Sequence, residues 1–266
     1  MKMKKRMLAG VITIMMSFSL IACGNEKENT YESQSEQETQ KESEIQATSE
    51  NGLNSETSDK SSEASTEFEV PSQEDFTPVE GLSKKYVDMD NRAFAYNGKI
   101  FKLGESTLKD LIDGGIPFEE SDINNKGNNV NSNYETQDFT ARINDYVSMQ
   151  FQFINTTKDS MVAEECLLSY VRIYFLYVPQ PDYEADYNKE ITEKILDATK
   201  SVCFSFPLIL TKEQLLEKSS KGAEPDEYNN VYYNIDSKVY MGDSGYHFEF
   251  DKKTNQLKEV SISWLP

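Results

Sequence analysis

The stretch that decides the fold is AFAYNGKIFKLGESTLKDLIDGG, residues 93 to 115. It changes period halfway along. Ala93 to Tyr96 and Lys99 to Leu103 are short apolar-rich runs joined by Asn97-Gly98. Asn-Gly tolerates positive φ at both central turn positions, so the spacing predicts a tight hairpin. Ser106 or Thr107 can then cap a short helix whose apolar stripe is Leu108, Leu111 and Ile112, and Gly114-Gly115 stops it. A hairpin thus leads directly into a short capped helix.

Towards the C-terminus, NNKGNNVNSN (124–133) reads as a polar loop. Strand signals follow at Phe139 to Ile143, Val147 to Ile154 and Leu167 to Val178, with turns at Asn144-Asp145 and NTTKD. The same order of elements then recurs. SVCFSFP (201–207) reads as a strand, and Thr211 with Gln214 fits a capping box at the head of TKEQLLEK. After the loop KGAEPDE, strand signals lie at Val231 to Ile235, Lys238 to Met241, Tyr246 to Phe250 and Leu257 to Leu265. Between the halves, Ile191, Ile195 and Leu196 predict an amphipathic helix within Asp186 to Lys200.

This pattern resembles a known family. YNGKIFKLGESTLKDLIDGG resembles a repeat of uncharacterised lipoproteins of Gram-positive bacteria. TKEQLLEKSSKGAEPDE with YHFEFDKKTNQLKEVSI resembles the helix, Gly-x-Pro loop and sheet of β-lactamase-inhibitor-protein-like repeats. Here Gly-Ala-Glu-Pro at 222 to 225 stands where the pattern has Gly-x-Pro. The resemblance implies two tandem repeats, 81–180 and 181–266, each a short helix plus antiparallel strands. Together they would form an α+β fold, a curved antiparallel sheet with helices on one face. It does not imply inhibition of a β-lactamase, because a fold alone does not carry a function.

Towards the N-terminus the chain changes character. MKMKKR is basic, Met7 to Ala22 is apolar, and that run is short of the ~20 residues that span a bilayer. Residues 1–22 therefore read as a secretory signal. Leu20-Ile21-Ala22-Cys23 resembles the bacterial lipobox, which implies a lipid on Cys23 and cleavage before it. Membrane attachment through that lipid is the expected localisation, on the outer face of the cell membrane; two or more acyl chains hold a protein stably. Residues 24 to 80 carry 16 acidic and 3 basic residues and few apolar ones. Such a tract cannot bury enough surface to order itself, so 23–80 reads as a disordered tether with a root-mean-square span of roughly 40 Å.

The formal net charge is −19. A surface this acidic repels phosphate backbones, which excludes nucleic acid as an expected partner and disfavours anionic headgroups.

Alternation assigns faces. Val171, Ile173, Phe175 and Tyr177 should meet the helices, while Tyr170, Arg172 and Tyr174 line the wetter side. Tyr and Arg are enriched in recognition surfaces, so these three are the candidate binding residues; an ordinary cross-strand ladder is the plainer alternative. By the same parity, Cys166 and Cys203 point to the open face if neither strand is bulged. An exported protein permits a disulfide between them, worth about 3–4 kcal/mol in the chain-entropy model, but two free thiols are the favoured reading.

The chain has one histidine, His247. That removes two-histidine zinc motifs, and no G-x-S-x-G, P-loop, G-x-G-x-x-G or calcium loop occurs. The expectation is therefore no catalytic residues, no metal and no cofactor. The leading expectation is a lipid-anchored binding module for a protein, peptide or cell-wall ligand. Substrate capture for a transporter or for glycan uptake ranks second, and an envelope hydrolase third.

Overall fold

A computed structural model describes residues 73, 76–219 and 225–266. The signal segment 1–22, Cys23, nearly all of the acidic tract and residues 222–224 lie outside the described residues. The fold is α+β, with antiparallel sheets and few helices.

The opening hairpin forms as its turn chemistry demands. β1 (Ala93–Tyr96) pairs with β2 (Lys99–Lys102), and Asn97 and Gly98 take φ of 48° and 79°. The free side of β1 pairs with β8 (Val202–Cys203), giving a small sheet in the order β2-β1-β8. SVCFSFP is thus a strand for only two residues. Phe204 and Phe206 continue irregularly and are buried, because their rings complete the core beside Phe94.

The large sheet runs β4-β5-β7-β11-β10-β9. Its strands are β4 (Phe139–Arg142), β5 (Val147–Ile154), β7 (Leu167–Phe175), β9 (Asn230–Asp236), β10 (Asp243–Phe250) and β11 (Leu257–Ser263). The sequence expectation of a strand at Lys238 to Met241 is not met. Those residues are bends between β9 and β10, with Val239 and Met241 exposed and no partner strand to pair them. The polar loop 124–133 is broken by β3 (Asn129–Val130), which pairs with β6 (Met161–Val162), and is preceded by α2 (Glu120–Ile123).

The other helices are α1 (Leu108–Asp113), α3 (Ala185–Ala198) and α4 (Lys212–Lys218). Leu108, Leu111, Ile191, Ile195 and Leu215 enter one core with Phe139, Phe151, Ile173, Phe248 and Val260 from the large sheet. The aromatic centre joins the small sheet to the large one: Phe94 lies 5.8 Å from Phe151, and Phe206 lies 5.1 Å from Phe248. Each fully buried ring of this kind contributes roughly 2–3 kcal/mol of transfer free energy. The α3 stripe departs from the expected one in Leu196, which is exposed while Ala198 is buried.

The two capped helices sit on the sheet by the same bonds. Thr107 accepts from the Asp110 amide and Thr211 from the Gln214 amide, each in a complete capping box. Leu108 N–H donates to the Cys166 carbonyl at 3.3 Å, and Lys212 N–H to the Asn255 carbonyl at 2.9 Å. Leu168 N–H donates to the Ser106 carbonyl at 2.7 Å, and Leu257 N–H to the Leu210 carbonyl at 2.8 Å. Just after these contacts each third strand carries an extra residue, Ser169 in β7 and Lys258 in β11, opposite the register shifts at Gln152/Phe153 and Glu249/Phe250. Such bulges increase local twist and re-aim side chains.

The chain's one tryptophan closes the end of the sheet. Trp264 N–H donates to the Ser169 carbonyl at 2.7 Å. Gly104 (φ 78°) approaches the indole so closely that a Cβ there would stand 2.4 Å from the ring. Only glycine satisfies both the left-handed backbone and that contact.

Candidate functional site

Helices and the small sheet cover one side of the large sheet. On its opposite side, strand register lines side chains up in rows. The central row runs Tyr232, His247, Ser261, Arg172, Gln150, Thr140 across all six strands. The next row runs Asn230, Glu249, Glu259, Tyr174, Ser148, Arg142. On the other flank, Tyr170 stands between Ser263 and Gln152. Tyr170, Arg172 and Tyr174 therefore share the open face and are half-buried.

Arg172 is the hub. Its guanidinium donates to Gln150 at 3.1 Å and pairs with Glu259, and it lies 5.0 Å from the Tyr174 ring centroid. The Glu259 carboxylate holds the guanidinium above its ordinary pKa. Burial pushes the Tyr170 phenol up as well, against a hydrogen bond with Ser261. Arg172 Nε is buried without a partner.

A second aromatic stands at the far end of the central row. His247 stacks on Tyr232 with centroids 4.4 Å apart and planes 7° from parallel. Burial lowers the His247 pKa, outweighing the nearby Glu259, Glu249 and Asp226 carboxylates, and Nε2 has no partner. Alternation along YHFEFD puts His247 and Glu249 on the same side of β10, but nothing in it indicates the stacking on Tyr232. Tyr232 was legible from alternation in VYYN, since Val231 is buried and Tyr232 exposed.

The cysteines are not part of the site. Both are free thiols. Cys166 is fully buried in the main core, with Sγ 3.6 Å from the Val162 carbonyl, and burial raises its pKa to about 11. The expectation that it faces outward fails because the Ser169 bulge shifts parity between Cys166 and Tyr170. Cys203 lies in the small sheet, in contact with the Thr199 carbonyl. The open-face placement of the pair is thereby corrected, and the two thiols are free, the favoured of the two alternatives.

Separately, Asn125, Asn128, Asn131, Tyr134, Glu135 and Gln137 line a polar pocket of about 290 Å³. Among the described residues no cluster of three His, Cys, Asp or Glu side chains is suited to a metal ion, and no helix is long and apolar enough to cross a membrane.

No family model matches this chain, and no curated protein or solved structure is significantly similar to it.

Proposed function

We propose that this protein is a non-catalytic binding module, anchored by a lipid on Cys23 at the outer face of the cell membrane, that engages its ligand through the open sheet face. The observation that carries the reading is the continuous polar row through Arg172, flanked by three tyrosines and left uncovered by any described element. Tyr supplies large contact area at little entropic cost, and Arg172 is already held in place by Glu259 and Gln150. The acidic tract would then be the tether that holds the body away from the membrane.

Tandem repeats, 81–180 and 181–266, belong to the same proposal. Supporting them are the paired capping boxes, the matched bonds of α1 and α4, and the matched bulges. Superposing those contacts makes Arg172 the counterpart of Ser261, and these two residues face each other in the sheet. A pseudo-twofold axis would therefore pass through the centre of the face. Arg172 marks where the halves diverge, and divergence at a symmetry axis suits a ligand that is itself not symmetric.

The anchor is tested by Cys23→Ser, which should move the protein from membranes to the soluble fraction; unchanged fractionation removes the anchor. The face is tested by capture experiments with the full chain in which Arg172→Ala should weaken ligand retention. Full retention would move the site elsewhere. The amide-lined pocket favours a second reading, capture of a small hydrophilic solute for a transporter. A thermal shift with sugars or short peptides that survives Arg172→Ala but not Tyr134→Ala would select it.

A further inference from the structure

We infer that the ligand of the open face is an extended, uncharged oligosaccharide laid across the strands from Tyr232 towards Gln150. This deepens the binding-module reading and rests on it.

Charge is the first reason. Every charged side chain in the two full rows is already paired: Arg172 with Glu259, Glu249 with Lys258 at 2.6 Å, and Arg142 with Glu119 at 3.8 Å. These two rows thus offer no unpaired charge, and the acids beside them, Asp138 against Gln152 and Asp243 against Asn234, repel anions. The surrounding body is strongly acidic, with 30 acidic and 20 basic residues in 81–266, and it repels polyanions.

Composition is the second. The two full rows and the Ser263–Tyr170–Gln152 flank hold no Ala, Val, Leu, Ile, Met or Phe. A protein partner would ordinarily find a more apolar patch at the core of its interface. Sugars need something else: flat rings for their C–H faces, and amides and hydroxyls for their OH groups. Gln150, Gln152, Asn230, Ser261 and Ser263 provide the second class.

Preorganisation is the third. His247 backs one face of the Tyr232 ring, and the Arg172 guanidinium backs the Tyr174 ring. Tyr232 is exposed and Tyr174 partly so, and neither ring can easily turn, so little freedom is lost on binding. β9 and β7 are three strand spacings apart, about 14 Å, which separates the two platforms by several sugar units' worth of contact. In this arrangement Arg172 is a positioning residue: it orients Tyr174 and leaves ligand contact to its neighbours.

The test is affinity electrophoresis and calorimetry of the full chain with chitohexaose, cellohexaose, xylohexaose and mannohexaose, against polygalacturonate as the anionic control. At least one neutral hexasaccharide should bind and polygalacturonate should not. Tyr232→Ala and Tyr174→Ala should each weaken binding by ~10-fold or more, about 1.4 kcal/mol. Tyr232→Phe and Tyr174→Phe should keep most of it, because the ring rather than the hydroxyl is used. Tyr232 is exposed on an edge strand, so its substitution leaves the fold intact. Binding of no neutral hexasaccharide overturns the inference. If a protein ligand is instead found whose affinity falls in the same alanine variants, the glycan fails and the binding face stands. A glycan that binds equally well to both alanine variants removes the face itself.

Discussion

Residues 104–175 and 207–263 place a capped helix and three strands by the same contacts, yet differ in what they add. The first half inserts α2, the β3–β6 pair and the polar pocket between its helix and its strands. The second half makes that connection with a shorter loop and adds instead an exposed β9–β10 tip. What they share is the cap, the bulge and the ring behind the sheet; what they vary is loop and open-face chemistry. Core and open face are thus separable here, since the first is fixed by local bonds and packing and the second by side chains that carry little of the stability.

That separation can be broken by paired substitutions. Phe151 and Phe248 are fully buried at matching places in the two halves. Alanine at either should cost about 3–5 kcal/mol in urea unfolding, since a large cavity is left in a tight core. A difference between them well beyond 1 kcal/mol would mean that one half dominates the core. Arg172→Ala is next. It leaves the mostly buried Glu259 carboxylate unpaired, but the arginine side chain is one-third exposed, so about 1–2 kcal/mol is expected rather than the full cost of a buried pair. Ser261→Ala, its cross-strand partner, should stay below about 1 kcal/mol. Thr107→Ala and Thr211→Ala should each cost about 1 kcal/mol and match within a few tenths, because the two capping boxes are alike.

The smallest effect is a pH dependence. Burial depresses the His247 pKa below its ordinary 6.5 in the folded state, so the unfolded chain takes up a proton first as pH falls. Stability should therefore be flat above about pH 6.5 and decline below it towards the depressed folded pKa. His247 is the only histidine. The decline between pH 6.5 and 5 should vanish in His247→Gln, measured by the urea midpoint; a slope unchanged in that variant would show that other groups govern it.

How much of this was readable in the chain follows from range. The Asn97-Gly98 turn, both caps, the end of α1 at Gly114 and the β5 boundaries were legible because local chemistry settles them. The α+β class, expected from the family resemblance, is the one observed. The split into two sheets was not legible, since the β1–β8 pairing joins residues more than a hundred positions apart for only two pairs. Nor was the Ser169 bulge, where one extra residue flips parity without altering the apolar pattern after it. It misplaced Cys166, although adjacent Leu167-Leu168 already broke strict alternation. On the face itself, Tyr170, Arg172 and Tyr174 were readable from one strand. Gln150, Glu259, His247 and Tyr232 were not joined to them, because neighbours across a sheet depend on register.

The contact of Trp264 with Gly104 has a practical consequence. The sole indole sits where the chain's last strand meets the segment entering the first helix, 160 positions earlier. Its fluorescence is therefore a one-site optical reporter of whether the two ends of the folded body are in register, with no labelling required.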